Sequence, residues 1–460
     1  MKNPLKKKKL IKISVFTTVL CSVLYIAGLF FRPVYLSWNN YDTIHGFYEQ
    51  PDNTIETVFL GASVTARGFI PMQLYDDTGI CSYNLGMEDQ PMMASYYWLK
   101  ECHSYHPDTL KNVILDTSML RRNPEEAAFR KAFDQMHYGE VKKEAIGDLT
   151  DDLNGYLNYM IPLLSFHDRW KSLEKSDIKK FTLSANTCSR GYDLSFGKYI
   201  NTTLSSDIAA PLYYPDDTVT PFTPNKTSLD YLEKINGYCN DNGLKLILVR
   251  TCCLRDWGSD KYNGVSAIAD ELGVPYVDFN CEPFLSETDF NFATDTTDGE
   301  HLNYYGASKQ TGYIGSYLLE NCTCTDIRNK EGYSFMSKES EESGNHYLYP
   351  ALLDKINLYE DYMNAASKSG YTVSSNSDPS GSITVTIYDD RLDKKIQTAV
   401  FPSESDERIS GDLNSELKKA LSTGTDPEEL PPVLKDLFLY NEYCETERQL
   451  AFRRAEGGGK

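Results

Sequence analysis

The chain lacks the features that mark several large functional classes. Basic charge is in deficit: Lys and Arg number 46 against 66 Asp and Glu, for a net charge of −20. No basic stripe in the main body compensates, which argues against nucleic acid, whose phosphates demand Lys and Arg. Metal-ligand spacing is missing too. The 11 cysteines include no CxxC and no quartet suited to zinc, and the histidines number only 7. His103 and His106 stand three apart on one helical pattern, but no convincing third ligand accompanies them. No repeat at solenoid periods is present. No small-x-small exit follows the N-terminal apolar run, and no small residue of a lipobox precedes Cys21. These absences disfavour a cleaved signal and a lipoprotein.

What is present begins at the N-terminus. Lys2, Lys6, Lys7, Lys8, Lys9 and Lys12 precede an uncharged run from Ile13 to Phe31. Those 19 residues, at about 1.5 Å rise each, nearly cross a hydrocarbon core. The expectation is an uncleaved single-pass anchor in a cell membrane. The lysines hold the N-terminus in the cytoplasm, and everything after Arg32 lies outside. In that oxidising compartment the ten cysteines beyond Cys21 could pair, although burial as small hydrophobes suits most of them better. The 33 tyrosines suit either carbohydrate grooves or ordinary half-buried positions.

Past the anchor, hydrophobic content of 41% and charged content of 24% are ordinary for a folded protein. Residues 33–54 read as a stalk. Short apolar runs then recur at Thr57–Leu60, Cys81–Leu85, Asn112–Leu115, Lys245–Val249 and Val274–Asp278. Helical patterns lie between or after them, over Pro91–Tyr105, Ser228–Asn240, Val265–Leu272 and Tyr305–Glu320. Continuous apolar strands alternating with helices predict an α/β fold with a doubly wound parallel sheet over residues 55–322. Residues 121–225 interrupt the rhythm. They carry helical patterns at Glu125–Met136 and Tyr156–Phe166, and suit a lid, a substrate wall or plain decoration. Residues 323–349 read as a polar linker. Residues 350–460 read as a small α/β appendage, with a helix over 350–366, a strand at Ser382–Ile387, a partner at Ile396–Phe401, and acidic helices from Leu413.

Chemistry-bearing residues gather at predicted strand ends. Gly61-Ala62-Ser63 follows the first strand, where ligands meet a parallel sheet. Ser63 there suits a nucleophile beside free backbone N–H groups, or simply a helix N-cap. A serine nucleophile needs a base and an orienting carboxylate. Asp42/His45, Asp134/His137 and Asp298/His301 all have Asp three places before His. Only His301 follows the fifth strand and opens the last helix, on the edge where Ser63 emerges. Gly306, Gly312 and Gly315 in that helix suggest close packing on the sheet. Asn84-Leu85-Gly86 closes the second strand on the same edge. It offers an amide and a close backbone N–H to an oxyanion, or merely a turn. His167, Arg169 and Trp170 follow an apolar helix and suit a sugar platform with an anion clamp, or a helix end with a packed Trp.

Gly-x-Ser after strand one, Asn-x-Gly after strand two and Asp-x-x-His before the last helix together resemble the SGNH/GDSL hydrolase superfamily. The resemblance spans residues 55–320. Pro162–Trp170 and His301–Ala307 are similar to its membrane-anchored branch, related to proteins that acylate or deacylate surface polymers. The resemblance implies a flavodoxin-like sheet, Ser63 as nucleophile, His301 as base and Asp298 as its orienter, with no cofactor and no metal. It puts the Ser63 and Gly86 N–H groups in the oxyanion hole. Where the superfamily has Gly-x-Asn-Asp after strand three, this chain has Asp116-Thr117-Ser118-Met119, so Ser118 takes the place of the usual Asn donor. The implied substrate is an acyl, typically acetyl, ester on a cell-surface glycan or other acylated polymer. A multi-pass membrane acyltransferase is a partner the resemblance leaves open, and a weak or inactive glycan-binding relative is the rival reading.

Overall fold

The computed structural model describes residues 4–343, apart from 36, 174–176, 178–180, 182–184, 196–215, 254–256, 291 and 341–342; beyond that it describes 371–377, 383–389, 394–401, 419–420 and 422. The lysine-rich start and the apolar run form one helix, α1 (Pro4–Phe31). Its segment Lys8–Phe31, of mean hydropathy 2.1, is long and apolar enough to cross a membrane. Its aliphatic side chains, such as Val15 and Ile26, face outward rather than into the protein.

Five parallel strands make the central sheet: β1 (Thr57–Gly61), β2 (Ser82–Gly86), β3 (Asn112–Asp116), β4 (Lys245–Arg250) and β5 (Tyr276–Asp278). Their order is β2-β1-β3-β4-β5, the flavodoxin-like arrangement, so the chain reverses its direction of winding beside β1. In register, Gly61 lies opposite Gly86, and Asp116 opposite Val249. Side chains alternate across the sheet, and both sides are covered, as a parallel sheet requires. Val58, Leu60, Val113, Leu115, Leu246 and Leu248 enter one core, with Trp98 and Leu99 of the helix Met92–Tyr105 and Leu232 of the helix Lys226–Asp241. Phe59, Ile114, Ile247 and Val249 enter the other, with Leu74 of the helix Pro71–Thr78 and Ile314 and Leu318 of the helix Tyr304–Asn321. A fully buried side chain of this size contributes about 1.5–3 kcal/mol.

Three expectations change at the edges of this body. The stretch read as a stalk folds onto the domain. Asn40–Tyr48 form α2, whose Ile44 and Phe47 are buried in the first core, with Phe47 edge-on to Tyr83 and Trp98. Arg32 donates to the Asp134 carbonyl at 2.8 Å, and the Tyr35 hydroxyl donates to Asp134 Oδ2 at 2.9 Å. The stretch read as a linker also packs onto the domain through residues of its described part, 323–340. Ile327 and Met336 are buried in the second core, and Glu339 pairs at 2.7 Å with the buried Arg190. Its polarity reflects one wet face, which composition alone does not distinguish from a linker. In the insertion, the apolar pattern expected as one helix over Tyr156–Phe166 divides into Leu153–Met160 and Pro162–Phe166, because Pro162 cannot continue the first helix.

In the C-terminal region Ile383–Asp389 pairs antiparallel with Lys394–Phe401 and, on its other edge, with Tyr371–Ser377. The expected helix over 350–366, Ser382, and nearly all of the acidic helices from Leu413 lie outside the described residues.

Candidate active site

Gly61 is the first determinant of the site. Its φ of +151° suits glycine, and a Cβ there would come within 2.2 Å of Thr65 Oγ1 and 2.9 Å of Asp116 Cβ. The chain can therefore leave β1 and turn at once into α3 (Ser63–Ala66). Ala62, with extended backbone, is the N-cap of this turn, and Ser63 is its first helical residue. The capping role open to Ser63 is thus held by its neighbour. Its hydroxyl instead meets His301 Nε2 at 2.9 Å, and the side chain is half-buried.

His301 is delivered by a tight loop. Thr296 and Leu302 form an antiparallel bridge, Thr297 N donates to the His301 carbonyl at 2.8 Å, and Gly299 turns with φ +81°. Asp298 organises this loop with one carboxylate oxygen and the imidazole with the other. Oδ1 accepts from the Glu300 and His301 N–H groups at 2.9 and 2.8 Å, while Oδ2 lies 2.9 Å from His301 Nδ1. The Asp-x-x-His spacing follows from this turn, in which a side chain accepts from backbone two and three residues on. Partial burial pushes the Asp298 carboxyl up, but the hydrogen bond and charge of His301, with the loop N–H groups, outweigh it and hold the group well below the usual carboxylate range. Asp298 is therefore ionised at neutral pH and fixes the tautomer in which Nδ1 carries the proton and Nε2 faces Ser63. Asn303, two residues on, caps the last helix by accepting from Tyr305 and Gly306 N–H. Gly306 packs against the Asp295 carbonyl and Gly315 against Leu74, while Gly312 has only one loose neighbour.

The expected oxyanion donors separate. Ser63 N–H occupies the first turn of α3, where helical N–H groups have no intrahelical acceptor. Ser118 Oγ is buried with no hydrogen-bond partner among the described residues, while its own N–H is held at 2.8 Å by Asp116. A buried hydroxyl left so costs about 1–3 kcal/mol, which an incoming acceptor would relieve. Gly86 does not fit its expected role. Its N–H is donated to Asn84 Oδ1 at 2.9 Å, and a Cβ there would meet Ala66 N at 2.5 Å. Glycine is needed at 86 for close packing under the Ser63 turn. Asn84 is likewise not a substrate amide: it is fully buried, and its Nδ2 donates to the Thr65 and Phe69 carbonyls at 2.8 and 3.0 Å. It ties β2 to the nucleophile turn from beneath.

His167, Arg169 and Trp170 do not join Ser63. Arg169 spends its guanidinium on both oxygens of Asp177, at 2.9 Å each, and on the Phe31 carbonyl at the end of α1. His167 Nδ1 lies 2.9 Å from the Leu164 carbonyl, and Trp170 is 61% exposed beside Lys171. The cluster ties the insertion to the base of the apolar helix. His103 and His106 also diverge. His103 meets the Tyr238 hydroxyl at 2.8 Å, and His106 Nδ1 accepts from Thr54 N–H at 3.2 Å. Among the described residues no group of three His, Cys, Asp or Glu could hold a metal ion.

Three residues that sequence reasoning missed extend outward in series from the imidazole. The Trp38 ring packs on His301 with centroids 4.5 Å apart at 41°. The Arg67 guanidinium lies over the Trp38 ring, 4.1 Å from its centre, and its Nε pairs with Asp193 at 2.8 Å. Asp193 comes from the later half of the insertion, whose residues 190–195 run along the site. Asn84 N–H bonds to the Arg190 carbonyl, Asp193 N–H to the Ala66 carbonyl, and Tyr304 N–H to the Ser195 carbonyl, at 2.9, 2.9 and 2.7 Å. This part of the insertion is a wall beside the site. The only sequence signal for Trp38 is an aromatic residue shortly after the apolar run.

No family model matches the sequence, and no curated protein matches it. Similar solved structures include one from Bacteroides fragilis, titled as a candidate acylhydrolase. It is 12% identical, with 62% of this chain and 99% of that one covered, at a TM-score of 0.29. Another is a gut microbial diltiazem-metabolizing enzyme, 12% identical, with 89% of this chain and 83% of that one covered, at a TM-score of 0.20. At such TM-scores neither likeness carries weight for the chemistry, which rests on the residues themselves.

Proposed function

We propose that this chain is a membrane-anchored, extracytoplasmic serine esterase or O-acyltransferase of SGNH type, acting on acyl esters, acetyl foremost, of cell-surface glycans. The observation that carries this reading is the hydrogen-bonded relay Ser63–His301–Asp298, with both links at 2.9 Å. In this reading His301 Nε2 takes the Ser63 proton as Oγ attacks the ester carbonyl. The Ser63 N–H and the Ser118 hydroxyl donate to the oxyanion. Collapse expels the sugar hydroxyl, protonated by His301, and leaves an acyl-serine. Water or a second sugar hydroxyl, deprotonated by the same imidazole, then takes the acyl group. Asp298 stabilises the imidazolium throughout.

The helix Lys8–Phe31 and the lysines before it support an uncleaved anchor with the N-terminus inside and the site outside. A multi-pass membrane acyltransferase as acyl donor remains part of the proposal's transferase branch. Two measurements test the whole. Ser63→Ala is expected to abolish both hydrolysis of p-nitrophenyl acetate and labelling by a fluorophosphonate probe. Full esterase activity in that variant would remove Ser63 from the mechanism. One observation favours a second reading, a glycan-binding protein with a weak site: the Gly86 N–H is already engaged by Asn84. A folded wild-type chain that neither labels nor turns over several small esters would select it.

A further inference from the structure

The aromatic ring packed against His301 does not come from the sheet or from its loops. It comes from the segment that joins the apolar helix to the domain. Trp38 lies seven positions after Phe31, the last residue of α1. Both Trp38 and the following Asn39 have left-handed backbone, with φ of 52° and 58°. Asn tolerates that region, whereas for a bulky side chain it is a true outlier that persists only when surrounding contacts over-determine it.

Those contacts are visible. Asn39 Nδ2 donates to the Tyr192 carbonyl at 3.1 Å, which fixes the corner against the wall segment. Arg67, the residue that ends the nucleophile turn, lies over the indole and is held by Asp193 of the same wall. The strained corner thus aims one large flat side chain at the imidazole, and side chains from two other elements keep it there.

We propose that Trp38 is a positioning residue for His301, so that the membrane-proximal segment forms part of the active site rather than a tether to it. The proposal rests on the Ser63–His301–Asp298 reading above. The hydrogen bonds to Asp298 and Ser63 fix the imidazole at its two nitrogens and leave it free to rock about the line between them. A flat surface at 4.5 Å removes that freedom and covers one ring face from water. The charged groups around the imidazole are then Asp298 on Nδ1, Arg67 behind the indole with Asp193 beyond it, and Glu300 next in chain, which Arg122 draws away at 3.3 Å.

The test uses the full-length chain in detergent micelles. An imidazole packed on an indole alters its emission. In the Ser63→Ala protein, which cannot turn over, His301→Gln is expected to change the tryptophan emission, and that change is expected to vanish when Trp38→Phe is already present. Kinetics on p-nitrophenyl acetate supply the second readout. Trp38→Ala is expected to lower kcat by about 10–100-fold with KM within about twofold, and Trp38→Phe to restore most of the loss, since a small misplacement of a catalytic group costs up to about 10²-fold. If Trp38→Ala fails to fold, the emission comparison and the kinetics of Trp38→Phe decide. An emission change that survives Trp38→Phe, a kcat within about threefold of wild type in Trp38→Ala, or a Trp38→Phe protein as impaired as Trp38→Ala would overturn the positioning role and leave the triad standing. A folded wild-type chain without turnover or probe labelling would remove both.

Discussion

Replacing Asp298 by Asn isolates the contribution of charge and tautomer at the site. Asn is nearly isosteric, and its Oδ1 can keep accepting the Glu300 and His301 N–H groups that shape the loop. The change falls on the other atom. An amide Nδ2 would replace Oδ2 at 2.9 Å from His301 Nδ1 and can only donate there. Nδ1 must then accept, the ring proton moves to Nε2, and Nε2 now donates toward Ser63 Oγ instead of accepting its proton. The imidazole remains in place with its base on the wrong side. General-base assistance is worth about 10²–10⁴ in rate, so kcat on p-nitrophenyl acetate is expected to fall by that factor with KM little changed. The fold is expected to hold. The Asp298 side chain is 46% exposed, so its hydrogen bond to the His301 imidazole is screened by solvent and worth at most about 1 kcal/mol of stability. The paired assay is steady-state kinetics and thermal melting of the same preparation. A kcat within threefold of wild type would refute the relay. A lost kcat with a melting temperature lowered enough to signal collapse of the loop would refute the claim that the loss comes from the tautomer.

Two further outcomes follow from contacts away from the triad. Arg169→Ala is expected to leave KM and kcat within about twofold while destabilising the chain by about 1–3 kcal/mol in denaturant titration, because it removes a bidentate charge-assisted contact to the buried Asp177 carboxylate and the donor to the Phe31 carbonyl; a large rise in KM alone would restore Arg169 to the substrate site. His106 is buried with Nε2 unpartnered among the described residues, and burial, aided by the charge of Arg190, lowers its imidazole from the ordinary 6.5 to about 3. A depressed folded-state pKa means stability that is fully present above pH 6.5 and is lost as pH falls toward 3, a few kcal/mol in all. His106→Asn, which can still accept from Thr54, is expected to flatten the pH dependence of unfolding free energy in that window, and an unchanged slope would count against the buried neutral histidine.

Much of this fold is readable from sequence because a parallel sheet buried on both faces writes itself as continuous apolar runs. All five runs are strands, displaced by a residue or two at most ends. The helices between them were legible from their stops. Gly273, with φ +68°, ends the helix Ser259–Leu272, as expected for a glycine just past an apolar pattern. The stalk and linker were misread for a shared reason. Each contributes only a few large aliphatic or Phe side chains to the cores, Ile44 and Phe47 in one and Ile327 and Met336 in the other, and much of what else the stalk buries is polar, Asn40, Asp42 and Thr43 among it. Burial decided by so few side chains leaves no periodicity to detect.

The site divides along the same line. Ser63, Asp298 and His301 stand in short local grammars, a glycine that frees a turn and an aspartate that folds its own loop onto a histidine, and such grammars survive in one dimension. The surrounding residues do not. Asn84 looks like a substrate amide because strand-end asparagines often are, yet here its side chain is consumed beneath the turn it was expected to face. Arg169 looks like a clamp because a fork of N–H donors suits anions, but an aspartate eight residues on takes both prongs. Trp38 shows the converse. Little in its neighbourhood beyond its place shortly after the apolar run marks it, and its meaning arises from a contact with a residue 263 positions away in the chain, His301. Residues that build a site from their own backbone can be found by pattern, whereas residues that complete it from a distant segment are visible only once the sheet has brought the two together.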